Sequence, residues 1–256
     1  MTIATDPVQR VLPICRWGFI GASRHSGPVQ SGTNYRFHLL VKENVMVIST
    51  GLVGMGDYTK EGVDRAIQTW WECVDLLVNE GVDLIVLGGA PVSAQLGRAR
   101  VRELFDETKR RTGLTATGTL ESAIEAMHHL GVQRLCVGTR WADEVNEGVR
   151  GYLHDGGIEV VDLFGRGYWS ADMRQFSYEE RLRLEMDVAR EAAEKSPTSD
   201  GLLLPGGVIA EHCIVPVEQE FGKTVFTNWN TEIWSTLVHP GTIAPLQGWG
   251  RLLASP

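Results

Sequence analysis

The chain has 256 residues, 43% of them apolar, and a formal net charge of −8 at neutral pH. That length and apolar content bury a substantial core, as one large domain or two small ones. The acidic balance with no basic block argues against a nucleic-acid partner. No apolar run reaches the roughly 18 residues of a membrane span, and the N-terminus lacks a basic-then-apolar signal layout, so a soluble cytoplasmic protein is expected.

Residues 1–14 read as a loose leader. Arg16-Trp-Gly-Phe-Ile-Gly21 predicts a first strand ending in glycine, and the Ser, Gly, Pro, Asn and His content of 22–38 predicts a long loop. Asn44-Val-Met-Val-Ile-Ser49 predicts a second strand, followed by a glycine-punctuated loop over 50–59. Val63, Ile67, Trp70, Val74 and Leu77 keep helical spacing, which predicts a helix over 60–79 stopped by Gly81. A third strand, 83–87, ends at Gly88-Gly89-Ala90. Helices are predicted over 98–111, where Lys109-Arg110-Arg111 is a solvated helix end, and over 120–130.

Gln133-Arg-Leu-Cys-Val-Gly138 predicts a fourth strand with Thr139-Arg140-Trp141 at its exit. A helix over 143–153, a strand over 158–163 and a loop over 164–176 follow. In that loop the exposed pair Tyr168-Trp169 suits a subunit contact, or else a lid. Ser177-Tyr-Glu-Glu180 is a capping box that opens a long helix to about residue 195. A strand over 201–204 ends at Pro205-Gly206-Gly207, and a helix through Val217 leads to Gly222. A seventh strand, 223–227, then exits into Asn228-Trp-Asn230, and a last helix runs over 231–238.

Strands alternating with helices predict an α/β fold with parallel sheets. In such sheets a ligand sits outside the carboxyl ends of the strands, where every glycine-rich exit named above lies. The runs Leu84-Ile-Val-Leu-Gly-Gly-Ala90 and Leu202-Leu-Leu-Pro-Gly-Gly-Val208 read as one half-domain written twice. The expected division is a first half over 15–112 plus 222–256 and a second over 113–221. The amides of Gly88, Gly89, Ala90, Gly206 and Gly207, placed at helix entrances, are candidate holders of an anion. Arg140 is a candidate carboxylate clamp, Trp141 a candidate wall, and Asn228 a candidate amide donor with helix capping as its alternative.

For proton transfer the candidates are His25, in the loop after the first strand, and Glu211 with His212 after the second glycine turn. Cys213 would be an activated thiolate if His212 lay beside it. Helical spacing favours an ordinary helix there, with Cys213 buried and His212 directed elsewhere. Cys15, Cys73 and Cys136 lie in apolar segments and read as buried small hydrophobes, and no C-x-x-C pair suggests a metal or dithiol site.

The two glycine turns, Thr139-Arg-Trp-Ala-Asp-Glu-Val-Asn146, Asp200-Gly-Leu-Leu-Leu204 and Thr227-Asn-Trp-Asn230 with Trp234 resemble the Asp/Glu racemase superfamily. The similar branch is that of arylmalonate decarboxylase and maleate isomerase, with a further likeness to members associated with ectoine utilisation. The resemblance spans roughly 15–250. It implies two pseudo-symmetric Rossmann-like halves with the site in the cleft between them, no cofactor, and a racemase, isomerase or decarboxylase acting on a small carboxylate. A homo-oligomer is expected. The family's two cysteines fall on the Gly89-Ala90 turn and on Pro205, so a variant mechanism is implied. A hydrolase using the turn amides as an oxyanion hole and a non-catalytic carboxylate binder are the alternatives.

Overall fold

The computed structural model describes residues 8, 11–22, 33–206 and 210–256. Its strands form two four-stranded parallel sheets of one design. The first holds β1 (Cys15–Gly21), β2 (Val45–Gly51), β3 (Leu84–Leu87) and β4 (Thr115–Gly118) in the order β2-β1-β3-β4. The second holds β5 (Arg134–Gly138), β6 (Glu159–Phe164), β7 (Gly201–Leu204) and β8 (Thr224–Thr227) in the order β6-β5-β7-β8. Ile20 aligns with Leu87 and Leu87 with Gly118, as Leu204 aligns with Thr227, which brings the carboxyl ends of the strands level.

The duplication reaches single hydrogen bonds. Asp83 and Asp200 each precede the third strand of their sheet. Each carboxylate accepts from the backbone N–H that opens the first strand, Arg16 at 2.6 Å and Arg134 at 3.0 Å. Two parallel strands are thereby pinned in register at their amino ends, and the glycine turns at the opposite ends inherit that register.

Strand membership differs from the expected division at two places. Thr115–Gly118 is a strand of the first sheet, although Thr-Ala-Thr-Gly carries no apolar run. It is an edge strand and needs no such run. Thr224–Thr227 belongs to the second sheet, not the first. A short β–helix–β connection returns beside the strand it left.

The helices are α1 (Thr33–Leu40), α2 (Lys60–Ala66), α3 (Trp70–Asn79), α4 (Ala90–Leu96), α5 (Arg98–Thr112), α6 (Thr119–His129), α7 (Asp143–Asp155), α8 (Tyr178–Lys195), α9 (Glu211–Phe221), α10 (Asn228–Ile233) and α11 (Gly250–Ala254). The helix expected over 60–79 is split by a tighter 3-10 turn at Ile67–Thr69. Part of the expected loop over 22–38 is α1. The Ser177–Glu180 capping box forms with both of its bonds. The basic end of α5 is exposed as expected, with Arg110 and Arg111 paired to Glu107. Among the described residues no helix is long and apolar enough to cross a membrane.

α6 and α10, which leave the fourth strand of each sheet, pack against one another and tie the halves together. Trp17, Trp70, Trp141 and Trp234 are fully buried. Each buries about 150–250 Å², or roughly 4–6 kcal/mol of gross transfer. Trp17 Nε1 donates to Thr236 Oγ1 at 2.9 Å, which ties the first sheet to the chain beyond α10.

Candidate functional site

The strand exits converge on a cavity of about 100 Å³. Phe19, Gly21 and Ala22 come from β1 and its exit, Arg36 from α1, and Tyr58 from the loop before α2. Gly88, Gly89 and Pro91 come from the β3–α4 turn, Arg140 and Trp141 from the exit of β5, and Pro205 and Gly206 from that of β7. Asn228, Trp229 and Glu232 come from α10, where a spacing of three to four residues sets them on one face.

The two glycine turns make room for aromatic rings. A Cβ at Gly88 would lie 2.0 Å from Phe19 Cζ, and one at Gly206 would lie 2.2 Å from Trp141 Cζ2. Each sheet therefore lays a ring from its first strand, or that strand's exit, across the turn that follows its third. Trp141 is held there by its own loop. Thr139 Oγ1 donates to Asn146 Oδ1 at 2.6 Å and accepts from Trp141 N–H, while Asn146 Nδ2 donates to the Trp141 carbonyl at 3.0 Å. Gly88→Ala is expected to displace Phe19 and to cost about 1–3 kcal/mol, as overpacking does. Denaturant unfolding checks this, and a second change of Phe19→Leu should recover part of the loss.

The amides do not act as expected at the first turn. Gly88 N–H donates to the Ile20 carbonyl at 2.9 Å and Gly89 N–H to Thr119 Oγ1 at 3.0 Å, so neither donor is available to an anion. Ala90 is fully buried beneath the cavity wall and does not line it. At the second turn the Gly206 carbonyl accepts from Arg140 Nε at 3.0 Å. Gly207 lies outside the described residues, as does His25.

Positive charge comes instead from two side chains. Arg140 is 4% exposed, and its Nη1 is buried with no hydrogen-bond partner among the described residues. Arg36 Nη2 is in the same state. Burial lowers the Arg36 pKa, while Glu211, Tyr178 and Glu185 act in the opposite direction. Trp141 and Asn228 also line this cavity, and Trp141 Nε1 and Asn228 Oδ1 are further buried polar atoms without partners among the described residues. Orphaned polar atoms of this kind gathered at one cavity mark a place for a ligand.

Three buried acids surround the arginines. Burial pushes Glu185 up to about 7, with Arg140 opposing the rise. Burial also raises Glu211, and Arg36 opposes that rise. Glu232 is pushed up to about 8 by burial, against the pull of its bond from Thr119. Burial thus favours the neutral form of each acid, which leaves the two arginines as the positive groups on the cavity lining. Among the described residues no group of three His, Cys, Asp or Glu side chains is placed to hold a metal.

Of the proton-transfer candidates, Glu211 and His212 do not line this cavity. Glu211 is buried behind the wall, where its Oε1 accepts from Thr227 Oγ1 at 3.1 Å. His212 Nε2 donates to the Leu182 carbonyl at 2.9 Å on α8 and does not line the cavity. Cys213 is fully buried beside the His212 ring, and burial pushes its thiol up, so it is no thiolate. Cys15, Cys73 and Cys136 are buried as expected. Asn228 lines the cavity, whereas Asn230 caps α10 in a box with Thr227.

Tyr168 and Trp169 are half-buried, not exposed. Trp169 packs against the core, Tyr168 meets Phe176 edge-on, and the adjoining Ser170 N–H donates to Asp57 of the first half at 3.2 Å. The pair is thus packed in part from within the chain. Sequence reasoning missed Arg36 and Glu232. A lone Glu among Trp229, Ile233, Trp234 and Leu237 was the signal for Glu232.

Residues 38–253 match the family described as arylmalonate decarboxylase. The arylmalonate decarboxylase of Bordetella bronchiseptica is 28% identical over 207 residues, which cover 80% of this chain and 85% of that protein. A solved double mutant of arylmalonate decarboxylase in the liganded form superposes with a TM-score of 0.79 at 24% identity, covering 93% of this chain and 98% of that one. The maleate cis-trans isomerase of Nocardia farcinica, a mutant carrying a covalently bound succinylcysteine intermediate, superposes with a TM-score of 0.76 at 16% identity, covering 93% and 98%. These likenesses match the two-sheet architecture described above.

Proposed function

Because the chain belongs to the arylmalonate decarboxylase family, we propose that it is a cofactor-independent enzyme acting at the carbon beside a carboxylate. It would be a decarboxylase, racemase or isomerase of small carboxylates. One observation supports this most: Arg36 and Arg140 both line one cavity at the strand exits, and each has a buried guanidinium nitrogen with no hydrogen-bond partner among the described residues. A buried charge without a counter-charge costs several kcal/mol in folding. A carboxylate supplies the missing partner, and an enediolate formed from it carries still more charge on the same oxygens.

Chemistry at that carbon would proceed without cysteine. Pro205 and Gly89 stand where the family's thiols were expected, both line the cavity, and no cysteine of the described residues does. Phe19, Trp141 and Trp229 give the cavity apolar walls, against which a leaving carboxylate is poorly solvated and a carbanion is shielded from water. A hydrolase would need free amides at the turns, and those of Gly88 and Gly89 are bonded within the protein.

The test is a panel of phenylmalonate, methylmalonate, maleate and enantiopure 2-phenylpropionate in deuterated water. Carbon dioxide release, double-bond geometry and deuterium at the α-carbon are read together. Turnover of at least one compound is expected. Binding of the panel without any of the three changes would make the chain a carboxylate binder and reject the enzyme reading.

A further inference from the structure

Resting on the reading above, we propose that Glu232 is the catalytic residue that moves the proton at the substrate's α-carbon, in the role the family's cysteines leave empty. Among the described residues that line the cavity, Glu232 is the only carboxyl group, and no histidine or cysteine joins it. It is 1% exposed yet borders the cavity, so the group is shielded from bulk water and open to a ligand. Glu211 and Glu185 are also buried acids, but neither lines the cavity.

The support beneath Glu232 suits both of its protonation states. Thr119 Oγ1 accepts the Gly89 N–H at 3.0 Å and donates to Glu232 Oε1 at 2.5 Å. The same hydroxyl has a second acceptor, the Leu87 carbonyl at 3.5 Å. When Glu232 is ionised, Thr119 donates to it. When Glu232 carries a proton, the hydroxyl can turn to Leu87 and accept instead. The first glycine turn thus orients the acid through Thr119, which explains why the Gly89 amide is unavailable to an anion. The charged group nearest in effect is Glu211 on α9, and Arg36 on α1 and Arg140 after β5 share the cavity. Burial, with Glu211 adding to it, keeps the Glu232 proton in place at neutral pH.

The step balances without a co-reactant. In decarboxylation the bond from the α-carbon to one carboxyl breaks and its electron pair stays as an enediolate held by the guanidiniums. Carbon dioxide leaves, the Glu232 proton passes to the α-carbon, and water reprotonates the carboxylate. In exchange or racemisation, ionised Glu232 takes the α-proton and the C–H pair enters the enediolate. The O–H then returns a solvent-derived proton to carbon.

Glu232→Gln and Glu232→Asp are compared with the unaltered protein on whichever panel compound it turns over. The expected result for Glu232→Gln is a fall in kcat of about 10²–10⁴-fold, the range for a lost acid–base group, with KM within about threefold. Glu232→Asp should restore part of the rate. The decarboxylation rate of the unaltered protein should decline above about pH 8, and the residual rate of Glu232→Gln should lack that limb. A Glu232→Gln protein within about fivefold of the original kcat overturns the role of Glu232 and leaves the proposed function standing. Failure of the unaltered protein on the whole panel overturns the proposed function and the role of Glu232 with it.

Discussion

Arg140→Met is expected to weaken carboxylate binding by roughly 10²-fold or more while leaving the protein as stable as before, or more so. The two effects have opposite signs because Arg140 is a buried charge that the fold pairs incompletely and a carboxylate ligand pairs directly. Arg140 is 4% exposed, its Nη1 has no partner among the described residues, and its Nε donates to the Gly206 carbonyl. Methionine keeps most of the volume and removes the buried charge. Such replacements are commonly neutral or stabilising by about 1–4 kcal/mol, less about 1 kcal/mol for the lost Gly206 bond. A charge-assisted bond to a carboxylate is lost at the same time, at about 1.5–3 kcal/mol per bond. Calorimetric titration with phenylmalonate should show affinity down by roughly 10²-fold or more, and Arg140→Lys should fall between, since it keeps the charge without the planar fork. A large loss of thermal stability with binding retained would show that Arg140 serves the fold and not a ligand.

The positions of the strand exits were legible because each ends in glycine, and glycine there has a steric cause. Gly88 and Gly206 admit the Phe19 and Trp141 rings at distances no side chain would allow. What the glycines do was less legible. Spacing pointed to free amides, whereas Gly88 pairs with its neighbouring strand and Gly89 with Thr119, thirty residues on. Long-range partners of this kind leave no local pattern. Arg140 was readable from its place at a strand exit. Arg36 was not, because Gly, Ser and Asn before it suggested loop while the chain makes α1 there.

Glu232 has a signal in the sequence itself. It is the one acid in Trp229–Leu237, a stretch whose apolar residues are all buried. An acid in such a setting is either paired or neutral, and this one is close to neutral. β4 was missed for a related reason. Apolar alternation reports burial on a face, and a short edge strand such as Thr115–Gly118 buries too little to show it. The sequence predicts β8 as a strand but not its place beside β7, because periodicity says nothing about which neighbour a strand selects.

Glu232→Gln should also make the protein more stable, and increasingly so as pH rises. An unfolded chain releases this proton near the usual glutamate pKa of about 4.3, whereas the folded protein holds it up to about 8. Between these values the unfolded state binds fewer protons than the folded state, so stability falls as pH increases. The neutral acid's contribution is therefore complete below about pH 4 and is lost by about pH 8. The loss is on the order of 5 kcal/mol if the whole interval applies, at about 1.4 kcal/mol per pH unit. Glutamine is isosteric and stays neutral, so it removes this dependence while keeping an acceptor for Thr119. Glu185 and Glu211 titrate in both proteins, and their contributions largely cancel in the comparison. Denaturant midpoints measured from about pH 4 to pH 9 should lie closest at the acid end, with the gap in favour of Glu232→Gln widening toward pH 8 and levelling beyond it. Parallel curves across that range would mean that Glu232 is already ionised at neutral pH, and the acid drawn for the decarboxylation step would then be absent from the resting protein.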